Sequence, residues 1–278
     1  MSLNARMSLV SESADCRVIR VYPDGVKTRF SPGQYGSLGL PSEADPAKLI
    51  KRAYSVSSPL LDESGALVDA NELPYYEFFF NRVAAPEGGK ERLTPKLFAL
   101  KDGARIFCGT RFSGHYTVEK APRGRNLLLV ATTTGEAPHN AILAAFLAQG
   151  RGEKVCSVLA APPGWESPYD AAHRRIQEDF ALYKRLDIRG PDYSALEALI
   201  SHCIQEESHS LQALGFALRP SGCQVFLCGD PAMIGAPEKL GAWNYESRRG
   251  GLFNMLTGAG FEAGTRFKEG NLEHESYW

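Results

Sequence analysis

The chain has 278 residues, 44% of them hydrophobic and 23% charged, enough to bury two cores of ordinary domain size. A net charge of −1 argues against a nucleic-acid binder that relies on a general positive field, and the six cysteines form no Cys-x-x-Cys pair or cluster of four, so neither structural zinc nor an iron–sulfur centre is indicated. The longest unbroken apolar stretch, residues 141–148, is too short to span a bilayer and the first residues lack an apolar secretory core, so a cytoplasmic protein with reduced thiols and no membrane insertion is expected.

Residues 1–8 are read as either extraneous to the fold or frayed, and carry no weight. Short runs rich in β-branched and aromatic residues follow at 16–21, 54–57, 75–83, 105–108 and 116–118, separated by Gly, Pro, Asp and Asn, as expected of a small antiparallel barrel. One helix interrupts them, with Thr94 as N-cap, Pro95 at the first helical position and a stop near Asp102-Gly103. Ala121-Pro122-Arg123-Gly124-Arg125 reads as a linker. Beyond it, apolar strands at 126–131, 155–160 and 224–228 alternate with helices at 138–149, at 168–184 and after Asp230-Pro231; a helix around 251–257, a strand and the tail Tyr277-Trp278 complete the chain. The expected fold is an N-terminal antiparallel β-barrel, residues 1–122, followed by a doubly wound parallel α/β domain, residues 123–278. Residues 1–126 carry 18 Lys and Arg against 14 Asp and Glu, while 127–278 carry 13 against 18, so the barrel half is the basic one and suits an acidic partner.

Arg52-Ala53-Tyr54-Ser55, which follows the turn Phe30-Ser31-Pro32-Gly33-Gln34-Tyr35, gathers a cation for a phosphate, a flat ring for stacking and a small hydroxyl. Alone, such alternation also describes a solvated strand edge. Leu93-Thr94-Pro95-Lys96-Leu97 opens a helix, and a helix start suits an anion, though most N-capped helices lie plainly on the surface. Phe112-Ser113-Gly114-His115-Tyr116 is a glycine-containing loop whose histidine is read as structural. In the second half, Ala131-Thr132-Thr133-Thr134-Gly135-Glu136-Ala137-Pro138 forms a strand-turn-helix, and Val225-Phe226-Leu227-Cys228-Gly229-Asp230-Pro231-Ala232-Met233-Ile234 ends a buried strand where open α/β sheets bind ligands. Leu186-Asp187-Ile188-Arg189-Gly190-Pro191 and the ending Gly270-Asn271-Leu272-Glu273-His274-Glu275-Ser276-Tyr277-Trp278 complete the set.

Taken in order, these segments resemble the ferredoxin–NADP reductase family, most closely its bacterial members. The resemblance implies an FAD-binding barrel and an NADP-binding α/β domain, a hydride exchanged between NADPH and FAD, and single electrons exchanged with ferredoxin or flavodoxin. It assigns Arg52 to the FAD pyrophosphate, Tyr54 to the isoalloxazine face and Ser55 to flavin N5, with Leu93 and Thr94 at the pyrophosphate, Tyr277 stacking on the flavin and Trp278 over the adenine. It assigns Thr132, Thr134, Gly135, Pro138, Gly229 and Met233 to NADP, Arg189 to its 2′-phosphate, and Cys228 and Glu275, with Ser55, to the nicotinamide–flavin contact. The chain departs from the family where Thr133 replaces a glycine, because a β-branched residue tolerates neither positive φ nor close backbone approach as glycine does. Asp187 and Gly190 also deviate, and Arg174, Arg175 or Arg185 could replace Arg189. Two other readings stay open: a reductase of the same architecture serving a flavin, a quinone or an oxygenase component, and a protein that holds FAD without turning over NADPH.

Overall fold

Alternation of inward apolar and outward polar residues starts earlier than residue 16. In the computed structural model, which describes residues 2–83, 91–236, 238–239, 245–246 and 250–277, Ala5–Glu12 forms a strand (β1) with Ala5 and Met7 fully buried. Ala5 and Met7, in a stretch to which the sequence gives no weight, are therefore part of the core. Strand β1 pairs antiparallel with Cys16–Pro23 (β2) and, through Ala5 and Arg6, with Arg105–Cys108 (β6). Tyr35–Pro41 (β3), Leu49–Ser57 (β4) and Tyr76–Asn81 (β5) complete a closed barrel in the order β1-β2-β5-β4-β3-β6. Ile19, Leu38, Phe78 and Ile106 fill its interior. Because β1 already lies beside β6, no edge remains for a strand at 116–118. Val118–Lys120 is instead a 3₁₀ turn, and Tyr116 stacks on His139 with its hydroxyl 2.5 Å from Nε2.

The barrel's helix, Leu93–Ala99 (α1), begins one residue before the expected cap, with Arg92 at the N-cap and no side-chain cap. The Thr94 hydroxyl is committed elsewhere, to Tyr54, and Pro95 still falls among the first residues whose N–H groups have no intrahelical acceptor.

In the second half, Asn126–Thr132 (β7), Val155–Ala161 (β8), Tyr183–Arg189 (β9) and Cys223–Gly229 (β10) form a parallel sheet with Leu272–Ser276 at its edge; the edge strand is β13, since Glu238–Lys239 (β11) and Tyr245–Glu246 (β12) form a separate two-stranded ribbon. The sheet order is β13-β10-β7-β8-β9. Glu136–Ala148 (α2) and Asp170–Asp179 (α3) cover the face that carries Leu127, Leu129 and Phe226. Ser194–Gln205 (α4), Glu207–Leu214 (α5), Pro231–Ile234 (α6) and Leu252–Gly258 (α7) cover the face that carries Leu128, Val130 and Leu227. The segment read as one helix over 168–184 is split, because Tyr183 begins β9 and its hydroxyl meets His173 of α3 at 2.6 Å. Among the described residues, no helix is long and apolar enough to cross a membrane.

The two halves are bolted together by buried polar contacts. Arg151 donates to the carbonyls of Ala121 and Pro122 in the turn that joins them, at 2.9 and 2.7 Å. The Tyr169 hydroxyl, just before α3, donates to Glu77 of β5 at 2.9 Å and accepts from Ser57 of β4 at 3.1 Å. These contacts fix how the end of β4 faces the carboxyl ends of the sheet strands.

Candidate active site at the barrel–sheet cleft

A cleft of about 880 Å³ opens where β4 and β5 face those carboxyl ends, a size within the range of about 300–1,000 Å³ typical of small-molecule and cofactor sites. The barrel contributes Arg52, Tyr54 and Ser55 of β4, Phe80 and Asn81 of β5, and Thr94 of α1; the sheet contributes Thr132–Thr134, Gly229–Pro231 and residues 275–277. Segments far apart in sequence thus meet in one cavity.

Tyr54 is held on two sides, by a hydroxyl contact to Thr94 Oγ1 at 2.8 Å and by the Phe80 ring at 5.4 Å, and burial raises its phenol pKa. A ring fixed in this way loses little freedom when another flat group packs on it. Ser55 is buried and donates to Oε1 of Glu275 at 2.9 Å, a bond that joins the barrel to β13 across 220 residues of sequence. Burial pushes the Glu275 carboxyl up to about 7, against the opposing effect of the Ser55 hydrogen bond. Glu275 therefore exchanges a proton close to neutrality.

Cys228 pairs in register with Glu275 on one side and Ala131 on the other. It is fully buried, and burial drives its thiol pKa well above the usual value, with Glu275 adding to the effect. It is a neutral thiol rather than a thiolate nucleophile, small enough to leave room at the sheet edge. The Tyr277 N–H donates to the Gly229 carbonyl at 2.8 Å, continuing β13 by one bond, and its hydroxyl turns inward toward Cys228 and Ser55 without a well-formed hydrogen bond. A second cleft residue, Asn81, likewise has a buried amide oxygen with no partner. Polar atoms left unpaired beside a cavity favour a ligand that brings hydrogen-bonding groups of its own.

In the turn after β7, Thr133 takes up a conformation that glycine adopts more easily. Its φ is +42°, in the left-handed region, where a β-branched side chain is strained. Asn81 Nδ2 donates to its hydroxyl at 2.9 Å and holds it there. The glycine that follows is required: a Cβ on Gly135 would lie 2.2 Å from the Cys228 carbonyl oxygen. Thr132 Oγ1 accepts from the Asp230 N–H at 2.7 Å, locking the two sheet-edge loops together. Thr133→Gly removes the strain, worth about 1–3 kcal/mol, and is expected to raise stability unless the lost Asn81 bond and the added backbone freedom cancel it. A chemical-denaturation midpoint measures that balance, and a clear loss of stability would show that the Asn81 contact outweighs the strain.

Other sequence-derived residues do not line the cleft. Leu93 and Met233 are buried in the barrel and sheet cores, and Pro138 is buried in the first turn of α2. Arg189 ends β9, with its guanidinium 3.7 Å from Asp187. Arg185 is almost fully buried and bridges Glu136 at 2.6 Å, Asp187 at 3.1 Å and Asp170 at 3.5 Å, so it belongs to a structural network in which Arg185 and His173 hold the Glu136 carboxyl at about 2 despite burial. Arg175 pairs with Asp179 at 2.7 Å on the exposed side of α3, and Arg174 and His115 are also exposed. Trp278 lies outside the described residues.

Sequence reasoning passed over Asn81, Arg82 and Tyr193. The Tyr193 hydroxyl donates to Asp230 at 2.7 Å at the cleft rim, and Arg82, beside Asn81, lies over the Phe98 ring at 4.2 Å. The available signal was the abrupt Asn81-Arg82 step after the aromatic run Tyr76–Phe80, which marks a strand leaving the core.

Glu275 and Glu273, two residues apart on β13, are both raised to about 7 by burial. The folded protein therefore binds their protons more tightly than the unfolded chain, and each costs stability as pH rises from about 4.5 to about 7. Relative to the parent, Glu275→Gln is expected to gain melting temperature over that interval and to hold the gain above it. A pH series of paired melts checks this, and a constant difference from pH 5 to 8 would contradict it.

The chain is a closed antiparallel barrel joined to a five-stranded doubly wound sheet, with a cleft between them. The chain is similar in sequence to bacterial ferredoxin–NADP reductases. It is 24% identical over 208 residues to the flavodoxin/ferredoxin–NADP reductase of Escherichia coli, covering 74% of this chain and 76% of that protein, and 31% identical over 130 residues to the ferredoxin–NADP reductase of Pseudomonas aeruginosa, covering 47% and 43%. A solved ferredoxin–NADP+ reductase from Neisseria gonorrhoeae, with bound FAD and NADP, shares the fold over 98% of this chain and 97% of that one, with a TM-score of 0.71 at 18% identity. No protein-family model matches the chain.

Proposed function

We propose that the protein is a flavoprotein oxidoreductase, a ferredoxin–NADP+ reductase in type, with FAD held by residues 1–122 and NADP(H) by residues 123–278. The observation that carries this reading is the Ser55–Glu275 hydrogen bond, set inside one cleft with Arg52, Tyr54 and Tyr277. The residues present fit FAD: a guanidinium for the diphosphate, aromatic rings from both halves for a planar ring system, and the unpaired Asn81 and Tyr277 oxygens for its polar edge. Arg52, Tyr54 and Tyr277 would hold FAD there, and it would supply both two-electron hydride and one-electron chemistry.

The chain's own residues supply position and proton control. In this reading Arg52 neutralises the diphosphate, with Leu93 and Thr94 shaping that end, and the backbone from Thr132 through Gly135, with Thr134, Pro138, Gly229 and Met233 behind it, shapes the nucleotide turn. Arg189 meets the 2′-phosphate after leaving Asp187. Tyr277 closes the nicotinamide position and moves to admit it, while Cys228 limits the depth of entry. Ser55 holds Glu275, and Glu275 keeps or yields a proton at the reacting edge. The basic barrel half suits an acidic ferredoxin or flavodoxin.

The strained Thr133 and the Asp187-paired Arg189 favour one competing reading, a protein that binds FAD but turns NADPH over poorly. Stopped-flow reduction of the bound flavin by NADPH and by NADH separates the two: rapid bleaching with NADPH supports the reductase, and no bleaching with either leaves the binding module.

A further inference from the structure

We propose that Thr133 binds the nicotinamide nucleotide directly, its hydroxyl donating to the diphosphate, and that Asn81 of the barrel aims that hydroxyl; the inference rests on the reading above that residues 123–278 hold the nucleotide. Chain order reverses between β7 and β10, because β8 and β9 lie on one side of β7 while β10 and β13 lie on the other. Open α/β sheets take their ligands outside the carboxyl ends of the strands at such a switch point, with the diphosphate of a dinucleotide at the turn that leads into the next helix. Here that turn is Thr133–Gly135, which joins β7 to the 13-residue α2.

Of the three consecutive threonines at this point, Thr132 and Thr134 are buried, and the Thr132 hydroxyl is engaged by the Asp230 N–H. Thr133 is half-buried on the wall of the cleft. Asn81 Nδ2 donates to its Oγ1 at 2.9 Å, and among the described residues this is the one hydrogen bond that the hydroxyl makes. A hydroxyl has one hydrogen and two acceptor lone pairs. With a lone pair given to Asn81, the hydrogen points away from the amide and meets no acceptor of the described protein. A donor held in that way beside a cavity suits an anionic oxygen, to which hydrogen bonds are stronger than to a neutral one.

The backbone fits the same role. Thr133 keeps a φ of +42° although glycine would relieve it, and its carbonyl accepts from the Glu136 N–H at the start of α2. Such strain persists where the surroundings over-determine it, and here the side-chain bond that does so comes from the other half of the molecule. Asn81 is thus a positioning residue, and the donor is aimed only while barrel and sheet keep their register.

The test is calorimetric binding of NADP+ and NAD+, both of which carry the diphosphate, with a melting curve taken without nucleotide for each variant. Thr133→Val keeps the β-branched shape and is expected to weaken binding about ten- to a hundredfold, as loss of a hydrogen bond to a charged group does. Thr133→Ser keeps the hydroxyl and is expected to bind as the parent does. Asn81→Ala loses the same internal bond as Thr133→Val, so the two should melt alike, but its freed hydroxyl can still reach the diphosphate and its loss of affinity should be the smaller. Parent-like binding by Thr133→Val would overturn the proposal. So would equal losses in Thr133→Val and Asn81→Ala, because a bond that only latches the turn produces that pattern. A parent that binds neither dinucleotide would overturn the nucleotide reading itself, so the two failures are told apart.

Discussion

Arg52→Ala is expected to purify with little or no flavin and to rebind FAD more than a hundredfold more weakly than the parent, while melting as a folded protein. The reason is local: residue 52 lies on β4 opposite Leu38 of β3, in a strand whose backbone pairing does not depend on its side chain. Loss of a guanidinium from a diphosphate costs about 3 kcal/mol, a little over a hundredfold in Kd. Fluorescence titration of the apoprotein with FAD measures it. Equal affinity in parent and variant would remove the cation from the account and leave β4 as an ordinary barrel strand.

Glu275→Gln is expected to keep FAD and the Ser55 contact, since the amide oxygen still accepts that hydroxyl, but to lower the turnover number about a hundredfold with a smaller change in KM. The pH profile carries the sharper signature. Glu275 loses its proton as pH rises through about 7, so in the direction that consumes a proton the parent's rate falls across that range. The glutamine variant, with nothing to titrate there, gives a flat profile at its lower rate. An unchanged limb in the variant would assign the ionisation to another group.

The parts of this fold that sequence made legible are those where local chemistry and burial agree. Strands β7, β8 and β10 are buried along nearly their whole length and read as unbroken apolar runs. Strand β3 was not legible, because Gly36 and Gly39 interrupt its pattern and its order comes from pairing with β4 on one side and β6 on the other. Strand β1 was discounted at the terminus, and only closure of the barrel explains why Ala5 and Met7 are buried. The helix over 168–184 was overextended because Phe180 and Tyr183 continue the helical spacing from Ile176, and only the pairing of β9 with β8 assigns Tyr183 to a strand.

The site divides the same way. Arg52, Tyr54 and Ser55 were legible from residue types that suit one ligand, Glu275 and Tyr277 through the family resemblance of the chain's ending, and the fold brings all five into one cleft. Steric reasoning marked Thr133 as a poor substitute for glycine at this turn, but its positive φ came only with the structure. The Asn81 bond that holds Thr133 depends on a pairing between distant segments, and no spacing in the chain announces it.

The visible absorption spectrum of the purified protein, recorded before and after NADPH is added without oxygen, tests the central claim most directly. The account predicts a yellow protein with flavin bands that bleach on addition of NADPH and return when an oxidised ferredoxin or flavodoxin is supplied. A colourless protein that takes up no FAD on titration would contradict it.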